Sequence, residues 1–270
     1  MNISYTRLAD ATCPRYYYYR YVEGLLPVAE KPQLKFGELF HKALGDLYTT
    51  KNLDVAKKHF EELEEGKDKA VELLDCYYRN FFQKENWEDI QGEVGLNINV
   101  PIKDGVLRVD NIHLTGKIDR YGKFNGVPAI MEWKTTAHPT MFVAKPNPQF
   151  TLYTLACRAL GLDVKMVIYT VFNTGIKTSK NGIYRTKDGS ERMIIDREYV
   201  EIEDWEIEEV ISDLAYKVNE LLTYEEVGYW PKSFSLCRTY GGCIYKDLCA
   251  SSKEEREVLK QISYKKEEKR

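Results

Sequence analysis

Nowhere in its 270 residues does the sequence approach eighteen consecutive apolar side chains, so no membrane-spanning helix is expected. The opening stretch MNISYTRLADATCPR lacks the basic start and apolar middle of a secretory signal. An excess of one charge sign is missing too, since 39 Lys and Arg stand against 42 Asp and Glu, a formal net charge of −3. That balance excludes a polycation that coats nucleic acid non-specifically, although a local basic groove is invisible in a net charge. Internal repeats, linker-like stretches and helicase motifs are absent as well, so any strand separation would fall to a partner protein. What is present is a hydrophobic fraction of 43%, enough for a real core and against wholesale disorder. The length points to one elaborated domain over residues 1–250, followed by a charged tail, 251–270, that frays. Six cysteines without an export signal imply a reducing compartment, where clustered thiols serve as metal ligands rather than disulfides. The expected location is the cytoplasm.

Hydrophobic periodicity changes twice along the chain. Residues 4–22 read as a short helix with Pro14 at a first helical position, running into the aromatic YYYYRY. Phe36, Leu39, Phe40, Ala43, Leu44 and Leu47 recur at helical spacing, and helix continues over 54–83 around a charged turn. Val94, Leu96, Ile98 and Val100 then alternate with polar residues, the mark of a half-buried strand. Strands over 107–120 and 128–135 flank the turn signal GKFNGVP. Helix returns at 148–160, a buried strand at 164–172, a hairpin or edge strand at 183–195 and a long helix at 201–223. An irregular cysteine-bearing stretch, 230–250, follows.

Asp119 ends one apolar run and Glu132-Trp133-Lys134 ends the next. Acidic-x-Lys triplets are cheap in so charged a chain, and Glu65-x-Lys67, Asp163-x-Lys165 and Glu267-x-Lys269 read as solvated surface pairs. Glu132 and Lys134 differ because they share one strand face, two residues apart, which Asp119 reaches if the two strands pair. Two carboxylates held close repel unless a divalent cation lies between them. Mg²⁺ suits such a site, since it takes oxygen ligands and needs only one or two carboxylates. The Lys134 ammonium then stands where charge develops on a phosphate, an arrangement that hydrolyses phosphodiesters. A plain Glu132–Lys134 salt bridge is the competing reading. Upstream, Gly37, His41 and Gly45 form one helical stripe, with glycines that let the helix approach another backbone and an imidazole as a third ligand. Downstream, Gln149 and Tyr153 lie one turn apart on a helix face, where an amide and a phenol can meet a substrate phosphate or base.

Taken in order, G-x-x-x-H (37–41), G-x-x-D (116–119), E-x-K (132–134) and Q-x-x-x-Y (149–153) resemble the PD-(D/E)XK nuclease superfamily, in particular its RecB-like exonuclease branch. The resemblance runs from about residue 4 to 250. It implies an α/β, restriction-endonuclease-like fold with a mixed central sheet flanked by helices. It further implies Asp119, Glu132 and Lys134 as the catalytic set, with His41, Asp119, Glu132 and the Trp133 backbone carbonyl around Mg²⁺ or Mn²⁺. Gln149 and Tyr153 correspond to the substrate-contacting motif. The usual Asp-x-Lys is here Glu-x-Lys, which lengthens the reach to the metal by one methylene.

Cys13 near one end and Cys237, Cys243 and Cys249 near the other supply four thiolates for a staple across the domain. Gly241-Gly242 provides a tight turn among them, and a helix start favours the Cys13 thiolate. Four Cys ligands fit an iron–sulfur cluster or structural zinc. The layout is similar to RecB-like nucleases that hold a 4Fe–4S cluster, such as the AddB subunit of a recombination machinery and the exonucleases of CRISPR adaptation. Spacing of five and five is looser than in those relatives and keeps zinc in play. Cys76 and Cys157 fall on apolar helix stripes and read as core. The leading expectation is thus a metal-dependent DNA exonuclease acting on single strands or duplex ends, beside a helicase or a recombination or adaptation partner. Arg7, Arg15, Arg20 and Lys145 are candidates for a DNA groove, and the rings at 16–21 are core for the most part. Two alternatives stand beside it: a structure-selective or nicking endonuclease, and a non-catalytic nucleic-acid-binding module of the same fold.

Overall fold

A computed structural model describes residues 2–28, 32–100, 112–139, 143–176, 181–238 and 242–267. Residues 107–111 of the strand expected over 107–120, Gly241 of the expected turn and the last three residues of the tail lie outside them. The chain divides into two compact units that interleave in sequence, one formed by residues 31–98 and 116–207, the other by 1–30, 99–115 and 208–270. Because both chain ends fold into one unit, no composition shift or linker marks the division. Among the described residues, no helix is long and apolar enough to cross a membrane.

The first unit is built on a five-stranded mixed sheet in the order Ile195–Glu201, Met166–Asn173, Val127–Thr136, Arg120–Phe124, Trp87–Gln91. Met166–Asn173 is almost wholly apolar and buried, as an inner strand covered on both faces should be. It runs parallel to Val127–Thr136 and antiparallel to Ile195–Glu201. The parallel crossover carries the helix Pro148–Ala159, which starts with Asn147 capping the Gln149 N–H and Pro148 in the first turn. Arg120–Phe124 and Val127–Thr136 form a tight hairpin with Phe124 opposite Val127. Its two-residue turn, Asn125 (φ 50°) and Gly126 (φ 79°), has the paired positive φ that matches strand twist. The connection is therefore shorter than the GKFNGVP span suggests, and Lys123 and Phe124 belong to a strand.

The helix Pro32–Thr50 presents Phe40, Ala43, Leu44, Leu47 and Tyr48 to a core shared with Leu73, Leu74 and Tyr77 of helix Lys67–Asn80, and with Met131, Trp133 and Phe172 of the sheet. Inside this core lies a polar network. Glu85 and Arg197, with side chains 6% and 3% exposed, form an ion pair. Glu85 Oε2 also accepts from Tyr48 (2.7 Å) and Trp87 (2.8 Å), while Arg197 donates to Thr170 (2.9 Å) and Tyr77 (3.1 Å). Each charge thus has several partners, the condition under which burial is tolerated.

In the second unit, Tyr19, Leu25, Tyr245, Leu248 and Tyr264 form the core, with Tyr16 and Tyr18 against it. Tyr17 stacks on Trp230 with ring centroids 5.8 Å apart, so the aromatic run is structural, as its amphipathic pattern suggests. Pro14 does open a helix, but that helix is short (Pro14–Tyr17) and continues as a π-helical turn over Tyr18–Val22. The expectation of a frayed tail is corrected for residues 252–266. Ser252 and Glu255 close a capping box on helix Lys253–Ser263, and Tyr264–Lys266 pairs with Leu25–Pro27.

Removing one member of the buried ion pair strands the other. We expect Arg197→Met to lower unfolding free energy by about 3–5 kcal/mol in urea titrations, against less than about 1 kcal/mol for an exposed pair such as Lys165–Asp163.

Candidate active site

The hairpin register sets the site. Arg120 lies opposite Met131, so one residue further along each strand Asp119 comes level with Glu132. Asp119 occupies the bend between the strand His113–Ile118, which belongs to a different sheet, and Arg120–Phe124. Its carboxylate is tied on both oxygens: Oδ1 lies 3.0 Å from His41 Nδ1, and Oδ2 accepts the Trp133 backbone N–H at 2.8 Å. Trp133 thus meets Asp119 through its amide, on the strand where the carbonyl was expected to matter.

Glu132 is half-buried as a residue, but its Oε2 is shut off from solvent and has no hydrogen-bond partner. Oε1 accepts from Gln149 Nε2 at 2.9 Å, and the same amide donates to Tyr153 OH at 2.9 Å. Gln149 and Tyr153 do share a helix face, as their spacing requires, yet the amide serves a carboxylate of the site. Burial pushes the Glu132 carboxyl well above the ordinary 4.5, and the Asp119 charge adds to this. Lys134, the Gln149 amide and the Asp119 backbone N–H pull the other way and do not prevail. Lys134 itself is solvent-exposed on the face that carries Glu132.

The glycines make room for side chains, where the sequence had suggested backbone contact. A Cβ on Gly37 would come within 3.2 Å of Thr135 Oγ1, on the Glu132 strand, and one on Gly116 within 3.2 Å of the Tyr153 ring. Beside Asp119, on the side of helix Pro32–Thr50, a cleft of about 620 Å³ is lined by His41, Asp46, His59, Lys117, Asp119 and Arg120 among others. Sequence reasoning passed over Arg120, which is buried at 4% exposure and donates from Nη2 to the Gly45 carbonyl and to Thr49 Oγ1. An arginine inside an apolar strand, next to a site carboxylate, was the available signal. The His59–Asp46 contact (2.8 Å) in the same cleft was missed as well.

Among the described residues, no three His, Cys, Asp or Glu side chains converge tightly enough to clasp a metal ion. The donor set at Asp119, Glu132 and His41 nevertheless fits a hard divalent cation: carboxylate oxygens, one of them buried without a partner, and an imidazole in contact with one of the carboxylates. All four terminal cysteines are free thiols of the second unit. Cys243 lies within electrostatic reach of Cys13, Cys237 and Cys249, and Cys249 within reach of Cys13 and Cys237. Burial alone would raise the Cys13 thiol, but hydrogen bonds from Ser233 and from the Tyr16 and Arg15 amides bring it below its ordinary value. Burial dominates at Cys243 and Cys249 and raises both. Cys76 and Cys157 are fully buried. The four basic residues expected to meet DNA are each engaged within their own unit. Arg7 donates to the Asn2 carbonyl and Arg15 to the Trp230 carbonyl, while Arg20 pairs with Glu267 and Lys145 with Glu206.

A carboxyl raised in the folded state binds its proton more tightly there than in the unfolded chain. Its contribution therefore falls as pH rises from about 4.5 through the raised folded value. Glu132→Gln removes that charge. In EDTA it should raise the melting temperature at pH 7–8 and flatten its decline with pH, as read by calorimetric scans from pH 5 to 8.

A family model described as the PD-(D/E)XK nuclease superfamily matches residues 2–250. No curated protein matches. Among solved structures, one from Eubacterium rectale bearing the name "Putative exonuclease" aligns over 88% of this chain and 86% of its own, at 16% identity and a TM-score of 0.53, which shows a shared fold. An alkaline exonuclease from Laribacter hongkongensis aligns over 84% of this chain and 93% of its own at 16% identity, with a TM-score of 0.31. With a motif-bearing mixed α/β unit in place and the family model spanning nearly its full length, this chain belongs to the PD-(D/E)XK nuclease superfamily.

Proposed function

We propose that the chain is a metal-dependent DNA exonuclease of the RecB-like branch, acting on single-stranded DNA or duplex ends. The observation that carries the reading is Glu132, whose buried, unpartnered Oε2 lies in the field of the Asp119 carboxylate, with an ammonium two residues on. A fold does not build such a pair for stability alone. Asp119, Glu132, His41 and the Trp133 carbonyl would hold Mg²⁺ or Mn²⁺. Such a cation, when bound, polarises the scissile phosphate and lowers the pKa of water.

The chain's own groups do the rest. The Trp133 N–H and His41 fix both oxygens of Asp119, and the Gln149 amide orients Glu132 through Oε1. Tyr153, held by the same amide, keeps Gln149 in that rotamer. Lys134, on the face of Glu132, places its ammonium where negative charge grows on the phosphate oxygens. The name "Putative exonuclease" borne by the Eubacterium rectale structure of shared fold favours end-processing. Strand separation would come from a helicase or a recombination or adaptation partner.

The four free cysteines support a 4Fe–4S cluster of structural role, tying the chain ends within the second unit. Cys13, whose thiol is shifted toward the thiolate while burial raises Cys243 and Cys249, is better prepared as a ligand than those two.

Lys134→Ala should slow Mg²⁺- or Mn²⁺-dependent degradation of end-labelled single-stranded DNA by at least about 10²-fold. Retained turnover in that variant would defeat the assignment of the lysine. For the cysteines, Cys243→Ser in anaerobically purified protein should lose iron and acid-labile sulfide together and melt at a lower temperature. Zinc in the unaltered protein, without iron, would replace the cluster by a zinc staple.

A further inference from the structure

Arg120 follows Asp119 directly, yet its side chain turns to the helix Pro32–Thr50, where Nη2 donates to the Gly45 carbonyl and reaches Thr49 Oγ1 at 3.4 Å. A Cβ on Gly45 would stand 3.5 Å from that same nitrogen, ordinary van der Waals contact, so the guanidinium packs closely against the helix at this position. The guanidinium lies over the Tyr48 ring, 5.3 Å from its centroid, and Tyr48 in turn stacks on Trp133 at 5.8 Å. Nε is buried without an acceptor, a costly arrangement for a group whose purpose were stability alone.

His41 and Gly45 are four residues apart on one helix face, and Asp119 and Arg120 are neighbours in the chain. The same two elements are therefore linked twice, by His41 with Asp119 and by Arg120 with Gly45, about one helical turn apart. One link leaves a helix able to slide or roll over a strand. Two links one turn apart suppress both motions.

We infer that Arg120 is a positioning residue of the metal site, a clamp that fixes the helix so that the His41 imidazole is presented to Asp119. The inference rests on the divalent-cation site proposed above and names a group that neither contacts the reacting atoms nor holds the ion. It also has a sign that plain electrostatics opposes. A positive charge next to a cation site weakens cation binding, so deleting that charge alone should tighten it. Deleting a clamp loosens it.

The test is Mn²⁺ titration calorimetry on the full chain, with melting temperatures recorded in EDTA. Arg120→Met should weaken Mn²⁺ affinity about tenfold, the usual scale for outer supports of a metal ligand. Arg120→Lys should fall between it and the unaltered chain, since an ammonium can still donate to the Gly45 carbonyl but lacks the fork. Gly45→Leu keeps the arginine and suits a helix. Its Cβ would only touch Nη2, but the isobutyl group beyond it should crowd the guanidinium off the carbonyl, so it should copy the Met variant and decides the matter if that one does not fold. Lys117→Met, which removes another cation of the cleft, should not weaken binding. Equal or tighter Mn²⁺ binding in Arg120→Met and Gly45→Leu would overturn the inference while leaving the metal site intact. Absence of Mn²⁺ binding by the unaltered chain overturns the metal site and the clamp together.

Discussion

The arrangement of this nuclease turns on a desolvated glutamate facing an aspartate. Glu132 has one oxygen sealed from water without a partner, and the Asp119 carboxylate beside it adds repulsion to burial. Left alone, such a pair lowers its strain by holding a proton on Glu132. A divalent cation bound as proposed would remove the need for that proton, so its uptake would release one. On the proposed reading, local instability and function would be the same feature seen under two conditions. The offsetting contacts, Gln149 on Oε1 and Trp133 N–H on the neighbour, hold the geometry without removing the frustration.

Holding two like charges in register requires a stiff frame, and the frame is visible. The Asn125–Gly126 turn locks the hairpin so that residues 119 and 132 come level. The inner strand Met166–Asn173 backs the Glu132 strand in parallel, with Glu132 opposite Tyr169 and Lys134 opposite Val171. Below the sheet, Glu85, Arg197, Tyr48 and Tyr77 form a closed polar network, and the Tyr48 ring reaches from it to Trp133. Core packing, the polar network and the Arg120 contact therefore converge on Trp133, between Glu132 and Lys134.

Much of this was legible in the residues. Period-3.6 apolar spacing marked the His41 helix, and alternation marked Val94–Asn99. Asp119, Glu132 and Lys134 drew attention because charges at the ends of apolar strands demand a reason, and the hairpin register does bring Asp119 level with Glu132. Elsewhere, information carried by tertiary contact left no trace in local pattern. Gln149 and Tyr153 were rightly placed on one face, but no spacing rule tells that an amide will turn to a carboxylate seventeen residues upstream. Arg120 read as one more charge in a charged chain, since its acceptor, the Gly45 carbonyl, lies in a distant segment. The last helix was legible from Ser252 and Glu255 and was passed over because its charged composition resembled a solvated tail. The two-unit division was hidden by the return of the C-terminal segment to the N-terminal one.

The most direct test of the central claim is anomalous diffraction from crystals of the protein soaked in Mn²⁺ at pH 7.5 to 8. The account predicts a strong peak within about 2–2.5 Å of carboxylate oxygens of both Asp119 and Glu132, with His41 adjacent. A peak elsewhere, for instance between His59 and Asp46, with none at Glu132, would contradict it. The buried carboxylate would then need another explanation.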